Sequence, residues 1–444
     1  MMRSKKTQMA FVLIIAAVIL PFFAASVQAM PQEYAPNLEV YYESREKREV
    51  LRLMTEDGLR YGEDTMELVA SITEGLTDDY EKAKAIHIWV AENLWYDYDW
   101  YYDDTLELFY APSEILVEKR TVCSGYANLA GSLLRAAGIP AVVVDGFSEG
   151  EGHAWNEAYV NGRWILMDPT WDSYNFYEEG EFSRQYPAGD DYFDISMAAL
   201  SRDHTIGGYE PYLYGDDLVQ EMRIPKDTRV IGDYAFWECT GLKRIGLPRG
   251  IISIGTGAFL DCTSLERVDI PEGVRYIAPY AFWGCTGLKD VRLPQNSTEI
   301  PEGMFCESGL ETFLVPQGIK VIGYYAFSDC AQLQSVTLPD SVELIRAGAF
   351  SNCVSLASIV IPPRIVILKA DVFEGCTGLT SILIPEGVRR IEKDAFIDCP
   401  DLTIYGKEGS YAETYAVENG IPFVAERAES FDETGRWIRF DLAG

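Results

Sequence analysis

The sequence predicts an α+β domain followed by a solenoid of about eight 23-residue units. Three observations carry this. Cys123, His153 and Asp168 occur in that order within a helix, strand and hairpin pattern. An apolar-Pro dipeptide recurs at intervals of 23 residues, once 22, from Ile224-Pro225 to Ile384-Pro385. Seven cysteines (Cys239, Cys262, Cys285, Cys330, Cys353, Cys376 and Cys399) hold the same place in their units. A chain of 444 residues, 48% of them hydrophobic, is too long for one ordinary domain and can bury substantial cores.

The chain begins Met-Met-Arg-Ser-Lys-Lys and continues as an apolar run from Met9 to Val27, interrupted by Pro21. Val27-Gln28-Ala29 fits a small-x-small cleavage site. Residues 1–29 are therefore expected to be a signal peptide, with the mature protein starting at Met30. That places the protein outside the cell, secreted or associated with the surface. A membrane is a partner only if the segment stays uncleaved. Net charge is −32, and 39 acidic against 13 basic residues lie between Met30 and Met222. A nucleic-acid partner does not fit so anionic a first half.

A helical lead-in is expected over residues 30–76. Within 77–175, Ile86, Trp89, Val90 and Leu94 recur at helical spacing, so Asp79 to Trp95 reads as an amphipathic helix. Ala127 to Ala137 reads as a second helix and Ala141 to Val144 as a short strand. Asn156 to Val160 and Arg163 to Met167 read as strands joined by Asn161-Gly162, a strong hairpin signal. With that two-residue turn, Val160 faces Arg163, Trp155 faces Asp168 and His153 faces Thr170. His153 and Asp168 then share one face as diagonal neighbours, within reach of a hydrogen bond. Residues 176–222 are polar without a period and are expected to wrap the first domain or link it to the second.

The repeats occupy 223–405. A typical unit reads LPRGIISIGTGAFLDCTSLERVD. Its Phe recurs at 236, 259, 282, 305, 327, 350, 373 and 396, with the cysteine three residues later and a leucine three beyond that. In the shortened fourth unit Cys306 directly follows Phe305, out of register, and Leu310 resumes the pattern. Units this short bury their apolar face only by stacking. The equivalent cysteines are expected as small buried hydrophobes, with disulfides between neighbours as the lesser reading. Residues 406–425 look like a helical cap and 426–444 like a loose tail.

These pieces resemble known families. KAKAIHIWVAENLWYDYD, VCSGYANLAGSLLRAAGIPAVVVDG and GHAWNEAYVNGRWILMDPTWD resemble the transglutaminase-like fold, a relative of papain-like thiol peptidases, over about Thr77 to Asp172. The Ile-Pro…Ala-Phe…Cys…Leu unit resembles the leucine-rich repeats of bacterial surface proteins over about Arg223 to Tyr405. The first resemblance implies Cys123 as nucleophile, His153 as general base and acid, and Asp168 as the residue orienting the imidazole. It also implies a second oxyanion donor upstream of the nucleophile, for which Trp95, Tyr96, Tyr98 and Trp100 are all candidates.

The residues give the same chemistry by themselves. A thiol at a helix N-terminus, an imidazole and a carboxylate suffice to make and break an acyl bond. The expected function is exported, thiol-dependent acyl transfer on peptide-like amides, with the repeats binding a cell-surface or extracellular protein. A cysteine peptidase or amidase on the same triad is one alternative. A non-enzymatic adhesin with an inert first domain is the other. No cofactor or metal is expected, since closely spaced Cys or His ligands such as C-x-x-C are missing. His87 reads as structural, His204 as a surface residue, and Asp172 as a rival acid placed past the strand.

Overall fold

The computed structural model describes residues 45–55, 58–209, 213 and 215–425. The expected signal peptide and the tail from residue 426 lie outside them. Among the described residues no helix is long and apolar enough to cross a membrane.

The first part begins with α1 (Arg45–Thr55), β1 (Leu59–Tyr61) and α2 (Glu63–Ile72). The lead-in is therefore not wholly helical. β1 has a structural task, pairing antiparallel with a later strand, β11, described below. Next comes α3 (Asp79–Asn93), capped by the Asp78 carboxylate, which accepts from the amides of Tyr80 and Glu81. It ends before Trp95, which belongs to β2 (Trp95–Asp97) instead. The short α4 (Tyr98–Tyr102), α5 (Pro112–Glu118) and β3 (Arg120–Thr121) lead into α6 (Cys123–Ala136), nearly all buried.

β4 (Ala141–Ser148), β5 (Glu151–Val160) and β6 (Arg163–Met167) form an antiparallel meander. The hairpin register is as expected, from Val160 opposite Arg163 to Asn156 opposite Met167. Asn161 and Gly162 take the positive φ angles that such a turn requires. β4 and β5 run longer than the sequence pattern suggested, because each continues along its neighbour towards the site.

The stretch expected to wrap the first domain or link it to the second is built of strands. It supplies β7 (Asn175–Glu178), β8 (Glu181–Arg184), β9 (Phe193–Ile195), α7 (Met197–Leu200), β10 (His204–Tyr209) and β11 (Val219–Arg223). β10 and β9 flank the meander in a sheet ordered β10-β4-β5-β6-β9, and β7 and β8 extend β2 in a sheet ordered β3-β2-β7-β8. These strands are short or glycine-rich, so their apolar alternation is too weak to read.

β11 is the first rung of the solenoid. β1 covers its outer edge, while short parallel strands at 244–246, 267–269 and 290–292 continue the sheet. The sheet breaks at the 22-residue unit, and a second sheet runs from Thr312 to the strand Thr403–Gly406. The helix α8 (Tyr411–Asn419) then packs over the end. Ser410 caps it, Gly420 terminates it at φ 68°, and a final strand, Phe423–Ala425, closes the sheet. Inside, the Phe rings form a stack; Phe259 and Phe282 lie 5.1 Å apart and 3° from parallel.

All nine cysteines are free. The repeat thiols are more than hydrophobes, since each donates to a backbone carbonyl one rung back. Cys262 reaches Phe236 O, for example, and Cys353 reaches Phe327 O, both at 3.0 Å. In the fourth unit Ser308, three residues after Phe305, holds the cysteine's place and contacts Cys330 Sγ at 3.3 Å.

The two parts are joined by buried polar contacts. Arg135 of α6 and Tyr61 of β1 both donate to Asp216 Oδ2, at 2.8 and 2.9 Å. Tyr110 donates to Glu238, on the second rung. Burial pushes the Glu238 carboxyl up to about 7, against the help of Tyr110. In the unfolded chain it ionises near 4.5, so its ionisation costs folding free energy that grows from pH 4.5 to about 7 and is constant above. Glu238→Gln, which still accepts from Tyr110, is expected to stabilise the protein on the order of 1–3 kcal/mol at pH 8 and not at pH 4.5. Thermal melts at the two pH values check this.

Candidate functional site

Cys123 is the first residue of α6, and Val122 before it is extended. The first N–H groups of a helix have no partners within it, so they are free to face a developing negative charge. The tight entry depends on Gly125. A Cβ there would lie 2.0 Å from Thr121 Oγ1, and that hydroxyl is committed to Phe109 O. Cys123 itself is half-buried, unlike Cys239, Cys262 or Cys285 in the solenoid, which are fully enclosed.

β5 brings His153 to this helix. Three residues on, buried Asn156 ties the two elements together by donating to Ala127 O of α6 at 2.9 Å. His153 is 8% exposed. Its Nε2 lies 2.6 Å from Asp168 Oδ2, and Cys123 is near enough to the same ring to favour its charged form. With Nε2 engaged by Asp168, Nδ1 is the ring nitrogen left over. Asp168 directly follows β6, and its other oxygen accepts from the amides of Thr170 and Trp171 at 2.9 and 3.4 Å.

The electrostatics follow from this line of groups. Burial opposes a charged His153, but the Asp168 charge and hydrogen bond, with Cys123, overcome it and raise the imidazolium to about 10. Burial likewise opposes a charged Asp168, yet His153 and His204 hold its carboxyl well below the usual range. The arrangement can keep an imidazolium beside Cys123 across neutral pH.

Two expectations about the remaining histidines meet different outcomes. His87 is structural as expected: it is fully buried and its Nε2 lies 2.7 Å from Asp172 Oδ2. Asp172 also accepts from the amides of Asp191 and Tyr192. It is thus committed elsewhere and does not compete for His153. His204, by contrast, is not a surface residue. It is 3% exposed on β10, with Nε2 3.2 Å from Asp168 Oδ2 and Nδ1 2.5 Å from Asp203 Oδ1. Gly146 makes room for that strand, because a Cβ there would lie 2.3 Å from Thr205 O.

His153, Asp168 and His204 group as metal ligands might. The 2.6 Å contact is nevertheless a hydrogen bond. Two ligands of one tetrahedral zinc ion stand roughly 3.3 Å apart, so the trio fits proton handling better than a metal.

Of the four candidate oxyanion donors, Tyr96 lies near the nucleophile. β2 pairs in parallel with β3, setting Tyr96 opposite Thr121, two residues before Cys123. Burial, and then the proximity of Cys123, push its phenol well above the usual value. Trp95 packs against Phe182, while Trp100 N is used in capping α4 against Asp97. The tyrosine run is partly packed and partly open: Tyr98 and Tyr102 stack at 5.9 Å, and Tyr102 is 73% exposed.

Comparison with known proteins finds relatives for both parts of the chain. A transglutaminase-like superfamily model matches residues 66–169, and a BspA-type leucine-rich repeat model matches six copies over 209–330 and 298–407. Mouse kyphoscoliosis peptidase is 36% identical over 119 residues, covering 24% of this chain and 18% of the relative. The human protein of that name is 35% identical, with the same coverage. The chain thus spans less than a fifth of the length of these curated relatives. A leucine-rich repeat protein from Bacteroides ovatus shares 24% identity over 49% of this chain and 68% of its own, with a TM-score of 0.34.

Proposed function

For a chain that joins a transglutaminase-like domain to BspA-type leucine-rich repeats, we propose thiol-dependent acyl transfer on peptide-like amides, carried out by Cys123, His153 and Asp168. The observation that carries this reading is the 2.6 Å contact between the Asp168 carboxylate and the His153 imidazole, with half-buried Cys123 beside the ring. The Cys123 thiolate attacks the amide carbon. The carbonyl oxygen becomes an oxyanion facing the Cys123 amide and Tyr96. His153 gives its proton to the departing amine, the C–N bond breaks, and a thioester remains. His153, now neutral, takes a proton from an incoming amine or water, the new C–N or C–O bond forms, and the thiolate returns.

An amine makes the enzyme a transferase; water makes it a hydrolase. The similarity to proteins named peptidases favours hydrolysis as the second reading. Export rests on the leader-like segment at residues 1–29. The repeats would hold the domain at a protein on or outside a cell surface. Solvent-facing apolar side chains such as Tyr276, Leu314, Val360 and Val366 support protein binding there.

The test compares the full chain with Cys123→Ala on a glutamine peptide library, with and without a labelled primary amine. Label incorporated by the wild type alone means transferase. Released ammonia or cut peptide means hydrolase. The variant is expected to lose all activity, and inactivity of both proteins would leave only a binding role.

A further inference from the structure

His204 adds a second imidazole to the carboxylate that serves His153. We infer that His204 is a positioning residue that acts through Asp168, drawing on the shared oxygen so that His153 can give up its proton and act as a base in the second half of the reaction. This rests on the proposed acyl-transfer chemistry.

The geometry is specific. Asp168 Oδ2 is 2.6 Å from His153 Nε2 and 3.2 Å from His204 Nε2. Asp168 is held ionised, and an ionised carboxylate only accepts, so both nitrogens donate to one oxygen. The two rings lie 5.1 Å apart at 61°. On its other side His204 Nδ1 meets Asp203, whose second oxygen takes Tyr192 OH at 3.3 Å. The charged and titratable groups facing His204 are therefore Asp168, Asp203, His153 and Tyr192. Trp155 and Trp171 pack on the ring, at 5.2 and 4.9 Å, and Ser148 lies opposite on β4.

The chemistry makes this second donor matter. In the resting site both Asp168 and Cys123 favour the imidazolium. Forming the thioester removes the thiolate, and with it the contribution of Cys123, but the pull of Asp168 stays. A donor on the same oxygen weakens that pull. It also keeps a partner on the buried carboxylate while His153 is neutral. Without it, Asp168 turns wholly to His153 and the imidazolium becomes harder to deprotonate. A rise of one pKa unit cuts the neutral fraction about tenfold at any pH below that pKa.

The experiment uses the full chain and p-nitrophenyl acetate as the probe. Thiolate attack forms the C–S bond and expels nitrophenolate, a leaving group that needs no proton, so the burst reports acylation. Water then attacks the thioester, His153 takes its proton, the C–S bond breaks, and acetate leaves; the steady state reports this step. His204→Phe keeps the ring volume without the donor, and His204→Gln keeps a donor. We expect His204→Phe to leave the burst rate within about twofold and to slow the steady state about tenfold at pH 8. His204→Gln should stay within about threefold of wild type in both phases, roughly the scatter allowed by a retained hydrogen bond. Equal slowing of both phases, no slowing of either, or a Gln variant as impaired as Phe would overturn the proposal. Should the Phe variant not fold, His204→Leu, which also removes the donor, serves in its place; an unaltered steady state there overturns it as well. A wild type that shows no burst at Cys123 defeats the proposed function itself, which separates the two failures.

Discussion

Asp168→Asn is expected to slow amide turnover by about 10²–10⁴-fold and to bring the alkaline limit of activity down from near pH 10. The asparagine oxygen can still accept from the Thr170 and Trp171 amides, so the turn after β6 keeps its anchors. Its NH₂ group then faces His153 and His204, where a carboxylate had accepted from both. Each ring must present a lone pair there, which puts the His153 proton on the wrong nitrogen for its task. The loss of negative charge also removes the main support of the imidazolium. The group that must donate a proton to the leaving amine therefore deprotonates at a lower pH, and the alkaline limb shifts down. A profile of rate against pH checks this. An unshifted limb with full activity would mean that Asp168 does not act on His153.

That prediction was within reach of the sequence because a two-residue turn fixes register. Once Asn161 and Gly162 take the turn, Asn156 to Val160 have defined partners on β6, and continuing that register sets His153 and Asp168 on one face. Cys123 was legible for a similar reason, since a helix must start where the polar, glycine-containing segment gives way to an apolar run. His204 was not. It lies 51 residues beyond His153 in a strand reading HTIGGY, which carries no alternation. Only its pairing with β4, and Gly146 beneath it, makes that segment a strand.

The solenoid divides along the same line. A fixed period exposes equivalence, so the Phe and Leu columns were plain from the sequence. The role of the thiols was hidden, because a hydrogen bond from each Cys to a carbonyl one rung back leaves no mark on composition. Ser308 is the clue that was available. It stands three residues after Phe305, where every other unit has Cys, and a hydroxyl replacing a thiol at a buried site signals a donor position.

Phe327→Ala should be among the most destabilising changes in the repeats, at about 3–5 kcal/mol. The ring is wholly enclosed, with Phe350 at 5.3 Å and 4°, Phe305 at 5.5 Å and Phe313 at 5.3 Å. It stands beside the shortened unit, where the strand sheet is interrupted and packing must carry what the ladder does not. Phe396 gives the contrast. It has one Phe neighbour, Phe373 at 5.7 Å, keeps 7% exposure, and meets the edge of Tyr415 in the cap. In a stack where each rung touches only its neighbours, an end position loses fewer contacts and frays at less cost. Phe396→Ala is thus expected to cost well under the Phe327 value. Urea unfolding followed by the fluorescence of Trp237 and Trp283 in the repeats compares the two. Equal losses, or less than about 1 kcal/mol at Phe327, would show that stability resides in the backbone ladder and not in the aromatic stack.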